Sequence, residues 1–176
     1  NSSTPMEEKL YFGPLLISKD NMEKTLEKIR KYCAYQDRCT KEVQTKLRSL
    51  GISESDFEEI INQLIEEGFI NEERFIQSYI RGKINAKGWG VQKIIYNLRL
   101  KGIEEHLIKK EIAKLDSQSI EKNLISLIEK WITNKELTFA TKQRLYRYLM
   151  SRGYSSGEIS QVLTQLDINF YNNDNF

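Results

Sequence analysis

Proline all but vanishes from this chain after its opening residues. Pro5 and Pro14 are the two it has, and 162 residues follow Pro14 without another. The residue that breaks helices most sharply is therefore missing from nearly the whole length. Histidine occurs once, at His106, and cysteine twice, at Cys33 and Cys39. A four-ligand zinc site cannot be assembled from so few donors, and the commonest general base of enzymes is nearly absent. The two thiols lie six residues apart with no second pair, and they read as ordinary thiols of a reducing cytoplasm. No stretch approaches 18 consecutive apolar residues, so no membrane span is expected. Nor does a positively charged start lead into an apolar segment, so no signal peptide is expected and the setting is taken as cytoplasmic.

What is present is charge and helical periodicity. The chain is 39% hydrophobic and 30% charged, the balance of a soluble, strongly helical protein. Its net charge of +2 hides an uneven distribution. Residues 53–73 hold eight acids and no base, whereas residues 74–110 hold nine bases against Glu104 and Glu105. Two opposite poles of this kind steer an acidic partner, whether protein or nucleic acid.

A fixed step runs through the sequence. Gly51, Gly102 and Gly153 are separated by 51 residues each time. Leu47, Leu98 and Leu149 keep the same step, as do Val43, Ile94 and Leu145, then Ile61, Ile112 and Leu163. Most of these positions are apolar and recur three or four apart, the seam of an amphipathic helix. Each unit reads as three helices. They are expected near 20–36, 40–50 and 53–67, then 71–86, 89–101 and 104–114, then 117–135, 138–152 and 155–166. Thr40 and Asn71 stand where caps belong, and Ser53-x-x-Asp56 and Ser155-x-x-Glu158 read as capping boxes. The repeated glycine follows each second helix, where a left-handed residue closes it at least steric cost. The expected fold is all-α: an elongated array of three tandem three-helix repeats, at 20–67, 68–116 and 117–167. Residues 1–19 form an N-terminal extension and 168–176 a C-terminal tail.

Enzyme chemistry finds little support. His106 falls in the first turn of a third helix and reads as exposed or locally bonded. Acids such as Glu58-Glu59 and Glu66-Glu67 read as a solvated face, with docking as the second option. Gly88-Trp89-Gly90 lacks the preceding strand and the Gly-Lys-Ser/Thr ending of a nucleotide loop. Two readings stay open for it. It is a tight corner packed by Trp89, or a helix N-terminus whose amides, beside Lys87 and Lys93, hold a phosphate or a carboxylate. Bases also gather on the second helices or their ends, where Arg48 and Arg99 share a repeat position and Lys46, Lys93, Lys101, Lys142, Arg144, Arg147 and Arg152 follow. Tyr96, Tyr146 and Tyr148 interleave with them, a mixture suited to phosphate contact and stacking.

The stretch "GFINEERFIQSYIRGKINAKGWGVQKIIYNLRLKGI", residues 68–103, resembles the core signature of the RecX family of recombination regulators. Ile70, Glu72, Arg74 and Phe75 match its start; Arg81, Lys87-Gly88, Gly90, Ile94, Leu98 and Lys101-Gly102-Ile103 match the remainder. Asn71 replaces the first acid, and Ile76 stands where a small residue is usual. The three tandem units fit the same family, extending the resemblance over about residues 22–167. It implies a non-enzymatic, monomeric regulator in DNA repair and the SOS response. Such a protein lies in the groove of the RecA filament and restrains its ATP hydrolysis and strand exchange, with single- or double-stranded DNA as a further partner. The residues expected to meet RecA or DNA are Arg48, Arg74, Arg81, Lys83, Lys87, Trp89, Lys93, Arg99, Lys101, Arg144 and Arg147. No catalytic residue, cofactor or metal is expected. The alternative is a helical protein that binds DNA directly and largely without regard to sequence, through the last two helices of each unit.

Overall fold

A computed structural model describes residues 19–171. The first 18 residues and the last five of the tail lie outside the described residues. Among the described residues the chain is built from nine α-helices and one short 3-10 turn. The first unit holds α1 (Lys19–Tyr35), α2 (Thr40–Ser49) and α3 (Phe57–Glu66), with the 3-10 turn Glu54–Asp56 leading into α3. The second holds α4 (Glu72–Lys87), α5 (Val91–Leu100) and α6 (Glu105–Ile112). The third holds α7 (Ser117–Ile132), α8 (Phe139–Ser151) and α9 (Ser156–Gln165). The helical array is thus the one the 51-residue step implies.

The apolar seams point inward. On α5, Ile94 and Leu98 are fully buried while Tyr96, Arg99 and Leu100 stay exposed, and Val43 and Leu47 are buried in the same way on α2. Three details of the helix starts and ends differ from expectation. Thr40 is the first helical residue rather than the cap; Cys39 occupies the cap, and its amide donates to Glu42 Oε2 at 3.3 Å. Ser155 and Glu158 form a full capping box, but Ser53 and Asp56 do not. Asp is one carbon shorter than the Glu the box requires, and the 3-10 turn tightens the start. In α7 the helix stops at Ile132, three residues early, because Asn134 turns to a φ of 60°. Asn71 does cap α4, its side chain accepting from the Arg74 amide at 2.9 Å.

The core is divided in two rather than three. Leu26, Ile29, Val43, Leu47, Ile60 and Leu64 belong to a core built from the first unit and closed by Ile70 at the start of the second. The second core runs without a break from Phe75 on α4 to Leu163 on α9, so the second and third units share it. Cys39 precedes α2 in the first unit, yet its side chain is buried in that second core. Full burial of one such aliphatic side chain contributes about 1.5–3 kcal/mol. A shared core lets two thin bundles reach a burial that neither attains alone.

Units meet in a repeated way: the N-terminus of each second helix seats on the glycine turn that ends the next unit's second helix. At the later junction the Gly90 amide donates to Arg152 O at 2.8 Å and the Gln92 amide to Gly153 O at 3.2 Å. Lys93 Nζ reaches Ser151 O at 2.9 Å, Arg152 Nη1 reaches Lys87 O at 2.9 Å, and the Tyr154 hydroxyl reaches Gly88 O at 3.1 Å. At the earlier junction Lys41 Nζ donates to Leu100 O at 2.8 Å and the Cys39 thiol faces Lys101 O at 3.9 Å. Cys39 and Gly90 are one repeat apart, as are Lys101 and Arg152, so a thiol does at one joint what a backbone amide does at the other. The contacts made by the starts of α2 and α5 set the positive end of one helix against the negative end of another, which favours both.

The closeness of the second joint explains two glycines. A Cβ on Gly90 would lie 2.4 Å from Gly153 O, and a Cβ on Gly153, whose φ is 97°, would lie 2.4 Å from Lys93 Cβ. Gly82, inside α4, has nothing within 4 Å of such an atom. Gly90→Ala is therefore expected to cost about 1–3 kcal/mol through overpacking. Gly82→Ala should instead stabilise by about 0.5–1 kcal/mol. Urea unfolding of the two variants checks the pair; similar midpoints for both would contradict the joint.

Candidate functional site

The second joint also gathers unbalanced positive charge. Helix α4 ends because Gly88 takes the left-handed conformation, letting the Gly88 and Trp89 amides close back on Ile84 O and Lys83 O at 3.1 Å. Trp89 is left half-buried against the shared core. The Lys83 and Lys93 amines stand 4.8 and 4.6 Å from its ring centroid. The Arg152 guanidinium sits 5.3 Å from the Tyr148 ring, which stacks on Trp131. Lys83, Lys87, Lys93 and Arg152 thus surround one corner, and among the described residues none of them is in an ion pair. Aromatic faces and helix-end carbonyls hold Lys83, Lys93 and Arg152 in place of carboxylates. Two amides at the start of α5 already donate to Arg152 O and Gly153 O, so the Gly-Trp-Gly stretch is a joint and does not offer those amides to an outside anion.

The other candidates fall into two groups. Arg48 pairs with Glu54 at 2.7 Å and Arg99 with Glu105 at 2.6 Å. The two pairs are one repeat apart and each ties a second helix to the start of the third. Arg74 pairs with Asp37 at 2.6 Å and also donates to Gly68 O at 3.0 Å. Lys101 pairs with Glu42 at 2.7 Å across the first joint. Together with Lys93, these four bases are engaged inside the protein. Arg81, Lys87, Arg144 and Arg147 are exposed and have no ion pair among the described residues. His106 is exposed, with Nδ1 3.1 Å from Glu104 Oε2.

Helix α8 adds Phe139 and Gln143 to the bases and tyrosines already singled out there. Phe139, half exposed, lines a shallow groove of about 570 Å³ with Lys142, Gln143, Tyr146 and Arg147. Residues 137–157 contain no acid at all, and that run was the available signal. The opposite pole lies on α3, where Glu58, Glu59 and Glu66 are exposed. Glu67 beside them is exposed as well, and it is engaged by neighbours. Its hydrogen bond to Arg30, reinforced by Gln63, pulls its carboxyl down to about 2. Both thiols are free and buried, and burial pushes each pKa up, which disfavours the reactive thiolate. No group of three metal-ligating side chains occurs among the described residues, and no described helix is long and apolar enough to cross a membrane.

Comparison with known proteins follows this geometry. The family model described as RecX, second three-helix domain, matches residues 71–110, and that of the third three-helix domain matches residues 120–163. The regulatory protein RecX of Bacillus licheniformis is 30% identical over 161 residues, covering 88% of this chain and 59% of its own length. That of Clostridium botulinum strain Alaska E43 is 26% identical over 162 residues, covering 89% and 76%. The chain thus spans about three fifths of the length of the first of these relatives. The crystal structure of RecX from Lactobacillus salivarius superposes with a TM-score of 0.73 at 29% identity, covering 85% of this chain and 99% of that one. A second crystal structure, of a regulatory protein RecX, shares the fold with a TM-score of 0.73 at 21% identity.

Asp37 shows how the first joint responds to acid. Ser78 Oγ donates to its Oδ2 at 2.6 Å and Arg74 to its Oδ1 at 2.6 Å; these contacts, Ser78 foremost, hold its carboxyl below the usual range. A depressed carboxylate stabilises above its ordinary pKa and loses that contribution as pH falls through the folded value. Asp37→Asn is expected to lower stability by about 1 kcal/mol at neutral pH. The gap to wild type should close as pH drops below about 4. Thermal unfolding across that range tests this; a gap independent of pH would contradict it.

Proposed function

The chain belongs to the RecX family, and from that premise we propose that it regulates homologous recombination by binding the RecA filament in its groove and restraining ATP hydrolysis and strand exchange. It acts as a monomeric regulator rather than an enzyme. The observation that carries this reading is the pair of opposite poles on an array of jointed units. Glu58, Glu59 and Glu66 are exposed on the first unit, while Arg81, Lys87, Arg144 and Arg147 are exposed on the second and third. A filament repeats its own surface from subunit to subunit. A jointed array with separated charges engages several subunits at once, and each further contact is made at high effective concentration. Charges at the rim of such contacts speed encounter and fix register.

Helix α8 supports a second reading. Its exposed Phe139 beside Lys142, Tyr146 and Arg147, in a run without acids, suits a single-stranded nucleic acid through stacking and phosphate contact. The two readings separate in one titration.

Added to a filament of RecA on single-stranded DNA, the chain is expected to lower ATPase activity. Reversal of Arg81, Lys87 and Arg147 to Glu should weaken the effect about tenfold while leaving helicity intact. Lys93 is left out of this set because its amine holds the joint through Ser151 O. An unchanged effect would remove the basic face from the reading. On DNA alone, binding whose log affinity falls with log salt by about 0.7 per phosphate contacted, with RecA activity untouched, would favour the second reading.

A further inference from the structure

The joint between units has three occurrences, and the third is filled differently. In the first two, the start of a second helix seats on the glycine turn of the following unit. At α8 the segment after α9 takes the place. The Phe139 amide donates to Tyr171 O at 3.0 Å, and the Tyr171 amide returns a bond to Leu137 O at 2.9 Å. Thr138 and Tyr171 form an isolated parallel bridge there. Ile168 and Phe170 pack on the shared core and hold the segment down.

The other half of the joint, in the first unit, has no partner among the described residues. The turn at Gly51 repeats the turns at Gly102 and Gly153 bond for bond. Its Gly51 and Ile52 amides close on Arg48 O and Leu47 O at 3.0 and 3.2 Å, as Gly102 and Ile103 close on Arg99 O and Leu98 O at 2.9 and 3.2 Å. The φ values of Gly51 and Gly102 are 75° and 76°. Carbonyls of Leu100, Lys101, Ser151, Arg152 and Gly153 each face a group of the preceding unit. The corresponding carbonyls of Ser49, Leu50 and Gly51 receive no hydrogen bond among the described residues, and nothing lies within 4 Å of a Cβ built on Gly51.

We propose that residues 168–171 are a plug that fills the docking socket at the start of α8, and that without it the socket takes the Gly51 turn of a second copy of this chain. The partner is a second copy because the two halves of the joint belong to different units, the first and the third, of the same chain. The contact is head-to-tail, so it adds copies in a row or joins them into a ring. It is weaker than the internal joints, since α8 has Ala140 and Thr141 in its first turn where α2 and α5 supply Lys41 and Lys93. The association is correspondingly reversible and concentration-dependent.

Sedimentation of the full chain tests this. Phe170→Asp with Tyr171→Pro removes the core anchor and the amide that bonds Leu137 O. The weight-average mass of this variant should at least double with rising concentration, while wild type stays monomeric. Adding Ser49→Trp, an exposed position beside the Gly51 turn, should return it to monomer. Assembly that persists with Ser49→Trp would overturn the proposal, because unspecific aggregation ignores that position. A variant that stays monomeric at native helicity would overturn it as well. If the double change lowers helicity, Tyr171→Pro alone, at an exposed residue, carries the same two outcomes.

Discussion

Everything in this array depends on a helix end finding a partner. A helix leaves its first amides and last carbonyls unsatisfied, and burying them without partners is costly. Here the glycine turn that closes one second helix offers its carbonyls to the start of the second helix of the unit before. At the Gly90–Gly153 joint the backbones come so close that neither position accepts a Cβ, which ties two distant residues of the sequence to one another. The shared core, the corner at Trp89 and the cluster of cations around it are all arranged by that approach.

The charge poles follow from the same geometry. Bases one repeat apart, Arg48 and Arg99, are absorbed in tying second to third helices, and Glu42 with Lys101 bridges the first joint. One repeat on, the positions of Glu42 and Lys101 are held by Lys93 and Arg152, so the second joint carries two cations where the first carries a neutral pair. The surplus positive charge of the middle and third units is therefore built into the joint as well as displayed on exposed helix faces. A partner drawn to it meets cations whose positions are held by aromatic rings and carbonyls, with less side-chain entropy to lose on binding.

Much of this was legible in the sequence, for definite reasons. The step of 51 residues, the seams of Ile and Leu, and the glycine after each second helix are local signals, and the helices follow them closely. Long-range pairings were not legible. Nothing local marks Arg74 as bound to Asp37 or ties the Lys93 amine to Ser151 O, and both looked like free surface bases. Glycine does not recur one repeat away from Gly88 and Gly90, where Asp37, Cys39, Phe139 and Thr141 stand. The role recurs although the residue does not: Cys39 meets Lys101 O where Gly90 meets Arg152 O. Position 141, one repeat beyond Gly90, falls inside α8 because that helix starts earlier, at Phe139. Phe139 and Gln143, beside the marked Tyr146 and Arg147, went unmarked because an absence of acids is a weaker pattern than a presence of bases.

The difference between the two joints has a mechanical consequence. The later one is made of backbone amides and carbonyls in near contact and is backed by a continuous core, so its angle can change only if the main chain moves. The earlier one works through a lysine amine, a thiol and an ion pair, with separate cores on most of either side. Side chains change rotamer at little energetic cost, and those contacts survive small rotations. The array is therefore stiff over its last two units and compliant at its first, a rigid arm with an articulated end that can adjust its pitch to a surface while the arm keeps its register.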